Sequence, residues 1–381
     1  MLNIVYVTSA PIPSIAANSV HVMKMANAFA LNGHDVVLMG ARGDEKVLSS
    51  DIYTHYGVEK SFAIQTFDPF FKPLGRLLFP FIVVWTAYKR GADLVYCRCV
   101  LSFFLVSLLG KNTMMELHQT VDAMRPVTRT LFKLGLKGAG FHGLVVISDA
   151  LKKLVLQQVN VSADNILVLH DGADEVIAGA SAPLKNQQDY LYHAGYVGHL
   201  YAGRGIDIVI GMARNVPSVM FHIIGGTQTD VEYWRAQCNT LKNIYFYGHV
   251  PPYEAQKYIS SMDVLLAPYQ KKVSVHGNGG DTSAWMSPLK IFEYMASGKP
   301  MICSDMPVLC EVLTPDQTAM LCAPEDVDVW CDALRTLIEN PDRAQKIASE
   351  AKKEFLEKYT WRARASRIVD YYNTRRGAKC L

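Results

Sequence analysis

Ser287-Pro288-Leu289-Lys290-Ile291-Phe292-Glu293-Tyr294-Met295-Ala296-Ser297-Gly298-Lys299-Pro300-Met301-Ile302-Cys303 reads as a helix and the strand it feeds. Ser287 can cap the helix, and Pro288 stands in a first turn where no N–H is needed. Leu289, Phe292, Met295 and Ala296 recur at helical spacing, and Gly298 ends the helix. The apolar piece Pro300 to Cys303 follows at once as a buried strand. Helix followed by apolar strand is the repeating half of a parallel α/β sheet. The N–H groups at the helix start attract phosphate. Lys290 puts a cation in the first turn, where the helix dipole favours an acid, and a docked anion resolves that conflict. Glu293, one turn on, can accept hydrogen bonds from hydroxyls. Phosphate at the tip and a diol one turn along describe a nucleotide diphosphate.

The same alternation continues outward. Tyr190 to Gly195, Phe221 to Gly226, Ile244 to Gly248 and Val264 to Pro268 read as strands, and Ala255 to Ser261 and Val327 to Ile338 as helices. Upstream, Ala, Ser, Gly, Pro, Asn and Gln dominate Asp174 to Asp189, which reads as a linker. Before it the pattern runs again. Leu2 to Val7 is a strand, Asn18-Ser19 cap a helix that stops at Gly33, and His34 to Gly40 returns as a strand. Leu94 to Tyr96, Thr113 to Glu116, Gly143 to Ile147 and Ile166 to Leu169 are further buried strands. The chain of 381 residues is long enough for two domains. The fold expected is α/β: two Rossmann-like doubly wound domains with ligands in a central cleft at the C-terminal strand ends.

Half of the residues are hydrophobic (50%) and 19% are charged, which supports large cores. A net charge of +3 gives no reason to expect nucleic acid. Residues 60–137, however, hold 11 Lys and Arg against 4 Asp and Glu. That basic region, rich in Phe and Leu, suits an anionic membrane surface, and it equally suits surface lysines around a buried core. The apolar runs Leu77 to Tyr88 and Val100 to Gly110 are each closed by basic residues and fall short of the roughly 20 residues a span needs. The chain starts directly on a strand, with no basic leader. The eight cysteines are scattered, and Cys97-x-Cys99 has no second pair at zinc-site spacing. A reduced, cytoplasmic protein is expected, attached peripherally to the inner membrane face if the basic region is a docking surface.

A second motif opens the later domain: Tyr196-Val197-Gly198-His199-Leu200-Tyr201-Ala202-Gly203-Arg204-Gly205-Ile206-Asp207. Its three glycines allow close backbone approach, and Arg204 offers a fork of donors to phosphate oxygens. With the Ser287 helix one Rossmann half later, both motifs can converge on one pyrophosphate.

Four motifs together carry a family resemblance: Val145 to Leu151, Val168 to Asp174, Gly198 to Gly205 and Ser287 to Pro300. In this order the chain resembles a family 4 glycosyltransferase of the GT-B fold, of the type with a Ser-Pro-Leu-Lys signature. The resemblance implies an N-terminal acceptor-binding domain over 1–180, a nucleotide-sugar-binding domain over 181–358, and a C-terminal helix over 359–381 that packs back on the first domain. It implies metal-independent, retaining hexosyl transfer from a nucleotide diphosphate sugar, a UDP- or GDP-sugar, to a polysaccharide, oligosaccharide or lipid-linked acceptor in cell-envelope glycan synthesis. The sugar nucleotide is a co-substrate, and no cofactor is expected. Arg204 and Lys290 would hold the diphosphate with backbone groups of Gly198, Gly205, Ser287, Pro288 and Leu289. Glu293 would hold the ribose and Val250 would edge the base.

His118, in Glu116-Leu117-His118-Gln119, resembles the family's acceptor-side histidine and would orient the transferred sugar or the acceptor hydroxyl. The family often has a glycine pair in the first βα loop. This chain has Pro11 to Ala17 there, and Asn18, Ser19 and His21 are the candidates for acceptor or phosphate contact. It also departs from the family at Trp285, where a glutamate touching the donor sugar is usual. Asp281, or main-chain groups of the loop before the helix, would take that role. Asp326-Val327-Asp328 resembles the metal-binding pair of a different fold, but here it opens an amphipathic helix and reads as a cap. No P-loop and no G-x-S-x-G elbow is present. Trp285 keeps a second reading open, a catalytically inactive sugar-nucleotide-binding or scaffold protein of the same fold. An epimerase would need added carboxylates and a phosphorylase a cofactor lysine, and neither is evident.

Overall fold

A computed structural model of the chain describes residues 1–14, 16–48, 51–68, 74–176, 179, 181–274 and 280–379. It divides into two compact units, Met1–His170 with Trp361–Leu381, and Asp171–Thr360. The first division lies upstream of the expected 180/181. Asp171 N bonds Ser287 Oγ at 2.8 Å, and Ala173 N bonds Tyr359 O at 3.1 Å, which ties this stretch into the second unit.

The strands of the first unit are β1 (Asn3–Ile12), β2 (Asp35–Arg42), β3 (Ala63–Phe67), β4 (Leu94–Cys97), β5 (Thr113–Leu117), β6 (Phe141–Val146) and β7 (Ile166–Val168). They form a seven-stranded parallel sheet in the order β3-β2-β1-β4-β5-β6-β7. A parallel sheet covered on both faces needs continuous apolar runs, and Val36 to Met39 and Leu144 to Val146 are buried throughout. The helix Trp361–Lys379 packs on the helix Ala17–Leu31 and on β6 and so belongs to this unit, although the second unit lies between them in sequence.

The second unit holds β8 (Tyr192–Val197), β9 (Val219–Ile224), β10 (Ile244–Gly248), β11 (Val264–Ala267), β12 (Met301–Ser304) and β13 (Met320–Cys322). Its six-stranded parallel sheet runs β10-β9-β8-β11-β12-β13. Strand order reverses between β8 and β11. The loops after these two strands therefore diverge to opposite faces and leave a crevice at their carboxyl ends. The Gly198 turn follows β8, Pro268 follows β11, and the helix Leu289–Ser297 connects onward to β12.

Several local readings change. Strand β1 extends through Pro11 and Ile12, which were read as loop. Asn18 and Ser19 do not cap. The helix begins at Ala17 without a side-chain cap, and Ser19 Oγ donates to Ser14 O and Ala16 O, each at 2.7 Å. Ser287 does not cap either, because its oxygen accepts from Asp171 N. The helix starts at Leu289 with Pro288 as its flanking residue. Asp326 does cap, accepting from Asp328 N and Val329 N. The helix at the chain end runs from Trp361 to Lys379, within the expected 359–381.

Candidate functional site

The second unit builds its site around the turn after β8. Gly205 sits at φ +75°, and a Cβ there would lie 1.8 Å from Pro268 O, so the turn presses against the chain leaving β11. That contact is open only to glycine. It brings the Arg204 guanidinium to 5.2 Å from the Tyr269 ring centre. From the other side, the helix Leu289–Ser297 projects Lys290 inward. Its Nζ lies 3.6 Å from the centre of the Tyr196 ring and 5.2 Å from that of Tyr269. Gly198, at φ +143°, leaves room for it, since a Cβ there would meet Lys290 Nζ at 3.0 Å.

Lys290 is 8% exposed, and its Nζ has no hydrogen-bond partner among the described residues. Arg204 Nε is likewise without one. Burial, then the charge of Arg204, pushes the Lys290 ammonium well below its ordinary pKa, and the pull of Glu293 the other way is smaller. Burial also pushes the Tyr269 phenol up to about 12, against the opposing charge of Arg204. Two basic groups side by side in an aromatic pocket, with Lys290 Nζ lacking a hydrogen-bond partner among the described residues, are suited to a polyanion.

The neighbouring candidates fall around this pair. Glu293 is half-buried one turn beyond Lys290. Leu289 opens the helix, and no side chain caps it. Asp281 is exposed, and its Oδ1 accepts from Val273 N and Ser283 N, both at 2.9 Å. Burial opposes its charge, but those two N–H groups outweigh it and hold the carboxyl below its usual range. The aspartate expected to touch a sugar is therefore also the brace of its own loop. The start of that loop, from His276, lies outside the described residues. Trp285 is half-buried. Val250 is half-buried just past β10, at the far edge of the sheet from β11.

In the first unit, β5 delivers Glu116 and His118. Glu116 is fully buried. It accepts from Tyr96 Oη at 2.6 Å and from Arg364 Nη2 at 2.8 Å, and His118 Nε2 stands 2.7 Å from Oε1. His21 Nε2 is 3.4 Å from the same oxygen, and Arg98 lies 2.7 Å from His21 Nδ1. Burial would raise the Glu116 pKa, but Arg364, His21 and His118 together drive it well below the usual carboxylate range. His118 keeps 24% side-chain exposure, whereas His21 keeps 3%. His118 is thus presented and His21 is a support. Ser19 is fully buried and spends its hydroxyl on its own loop, whereas Asn18 is exposed. Two histidines and a carboxylate invite comparison with a metal site. The Arg364 guanidinium on the same oxygen would oppose a dication there.

Tyr196, Tyr269 and Arg364 were not foreseen. The tyrosines stand in strand-like surroundings that read only as core. An arginine in a final helix reads as solvated surface.

Residues 185–354 match the sequence profile of the family described as glycosyl transferases group 1. A glycogen synthase of Mycobacterium tuberculosis is 27% identical over 237 residues, 60% of this chain and 53% of that protein. A putative teichuronic acid biosynthesis glycosyltransferase, TuaH of Bacillus subtilis, is 21% identical over 230 residues, 59% of this chain and 55% of that protein. The chain thus spans about half the length of the curated relatives it matches. Among solved structures, Anabaena HepE in complex with UDP superposes with a TM-score of 0.73 at 15% identity, covering 98% of this chain and 100% of that one. The fold is GT-B.

Proposed function

We propose that the chain is a glycosyltransferase that draws its sugar from a nucleotide diphosphate sugar. The observation that carries this reading is Lys290: a buried ammonium with no hydrogen-bond partner among the described residues, beside Arg204, at the reversal point of a parallel sheet. Arg204 and Lys290 receive the diphosphate, and backbone groups of the Gly198–Gly205 turn and of Leu289 line it. Glu293 takes the ribose hydroxyls and Val250 edges the base. The match of residues 185–354 to group 1 glycosyl transferases supports the same assignment.

The chemistry follows from those charges. The bond between the anomeric carbon and the phosphate oxygen opens, and negative charge grows on the leaving diphosphate. Two fixed cations stabilise that charge, the electrostatic task a metal performs elsewhere, so the reaction is metal-independent. The acceptor oxygen bonds the anomeric carbon from the face the phosphate leaves, and its proton passes to the leaving phosphate oxygen. Configuration is retained, and no protein nucleophile is used. His118, held by Glu116, orients the transferred sugar or the acceptor hydroxyl. The acceptor is a glycan or glycolipid of the cell envelope, and the basic region 60–137 attaches the protein to an anionic membrane surface.

The test is a thermal-shift panel of UDP-, GDP-, ADP- and CDP-sugars, because a ligand that binds only the folded state stabilises it in proportion to its affinity. One base should stand out, and that sugar nucleotide should then be consumed, slowly by water and faster with acceptor. No stabilisation by any of them would end the assignment. Trp285, at a position where related enzymes carry a donor-touching acid, favours one other reading, an inactive sugar-nucleotide-binding protein. Stabilisation without turnover would select it.

A further inference from the structure

We propose that the helix Leu74–Lys89 is a membrane-inserting element, whose outer stripe of Leu78, Phe81, Trp85 and Tyr88 enters the interface of an anionic bilayer. These residues are spaced three, four and three apart and so share one helical face. They are 48%, 61%, 60% and 54% exposed. The opposite face, Pro80, Val83 and Ala87, is buried and already anchors the helix to its unit. The helix is therefore apolar all round, although the fold needs only one side of it. The adjoining helix Val100–Leu108 extends the patch with Leu108 and Leu109, 56% and 49% exposed.

The rim identifies the occupant. Lys89 Nζ lies 4.7 Å from the centre of the Trp85 ring, and Lys111 Nζ lies 5.1 Å from that of Tyr88. Tyr88 Oη donates to Leu109 O at 3.0 Å, which fixes the aromatic edge against the second helix. No Asp or Glu occurs over residues 74–92 or 100–111. Tryptophan and tyrosine beside lysines, with an apolar centre, match the boundary between acyl chains and anionic headgroups. A second copy of the chain would bring Lys89, Arg90 and Lys111 against their own kind, and that repulsion disfavours self-association. The inference deepens the membrane contact named above. Charge alone would hold the protein at the headgroups, whereas this stripe buries side chains below them. It does not require sugar transfer.

The experiment is flotation of the full chain with vesicles of phosphatidylglycerol and phosphatidylcholine, at low salt and at about 1 M salt, where charges more than about 3 Å apart are screened. The parent should bind, and part of the binding should survive high salt. The Phe81→Ser/Trp85→Ser variant should bind on the order of tenfold more weakly or worse, with melting temperature and sugar-nucleotide thermal shift unchanged. Leu108→Ser/Leu109→Ser serves as a second variant should the first fail to fold. Trp85 emission should shift to the blue on binding, judged against Trp85→Phe. Absent vesicle binding, equal binding of parent and variants, binding wholly abolished by salt, or a concentration-dependent dimer lost in the variants would each overturn the proposal. Failure of the sugar-transfer reading shows separately, as no thermal shift with any sugar nucleotide.

Discussion

The Lys290 ammonium rests 3.6 Å from the centre of the Tyr196 ring and finds no hydrogen-bond partner among the described residues. The ring face offers partial compensation for lost water, and the rest of the desolvation cost stands. Lys290→Met keeps the volume and removes that cost. Apo stability should rise or stay level, while affinity for the sugar nucleotide falls by about 1.5–3 kcal/mol, the worth of a charge-assisted contact. Calorimetric titration and thermal melts measure the two together. Unchanged affinity, both here and in Arg204→Ala, would remove the diphosphate assignment.

The pH dependence has two opposite signs. The Lys290 pKa in the folded protein is below its unfolded value, because burial and Arg204 disfavour the charge. The unfolded chain then binds the extra proton between those two values, so apo stability rises with pH across that window and is lost as pH falls through the folded value. A bound diphosphate favours the ammonium. Donor affinity should therefore be greatest below the apo value and decline above it, with a proton taken up on binding. Titrations in buffers of different ionisation enthalpy detect that proton, and a flat profile in the parent, or a pH dependence undiminished in Lys290→Met, would refute it.

Two glycines of one turn should fail differently. Gly205→Ala drives a Cβ into Pro268 O at positive φ, so backbone must move, and about 3 kcal/mol of stability should go. Gly198→Ala meets the movable end of Lys290. It should cost less stability and more donor affinity. Equal melting temperatures for the two variants would contradict this division.

Glu116 and Arg364 form a buried pair that is worth most when intact. Glu116→Gln alone leaves the buried guanidinium without its counter-charge, held by the His170 and Leu169 carbonyls, and Arg364→Met alone leaves the carboxylate to Tyr96 and the two histidines. Each should cost about 3–5 kcal/mol. The double variant should cost less than the sum, with coupling of about 1 kcal/mol or more in denaturant melts. Because the Glu116 pKa is depressed in the folded state, its stabilisation is complete above the unfolded carboxylate value and is lost as pH falls through the folded one. Strict additivity would show that the pair acts through separate neighbours.

His118→Ala should leave donor affinity intact and lower kcat by roughly tenfold to a hundredfold, the scale of a lost orienting contact. Glu116→Gln, if it folds, should reproduce part of that loss and move the pH profile of kcat. A His118 variant of full activity would make the residue structural.

The alternating strands and helices, the Gly198 turn and the helix to Gly298 were legible because each is encoded within a few residues by period, cap and glycine. What escaped was long-range. Ser287 looked like a cap by local rule, but its oxygen is claimed by Asp171 N, a residue 116 positions away. The aromatic seat of Lys290 joins Tyr196 and Tyr269 from two strand ends, and no local spacing announces that pairing. Arg364 meets Glu116 across 248 positions. Pairings of this kind are set by the register of the sheet and not by any window of sequence.

The helix that supplies Arg364 also ties the folding of its unit to residues made after the whole of the second. As the ribosome releases the first 170 residues, Glu116 has no guanidinium to neutralise it, and the surface later covered by Trp361–Lys379 is bare. The second unit, continuous from Asp171 to Thr360, can close first. The amino-terminal unit is thus discontinuous along the chain, and it closes only once the helix Trp361–Lys379 joins it.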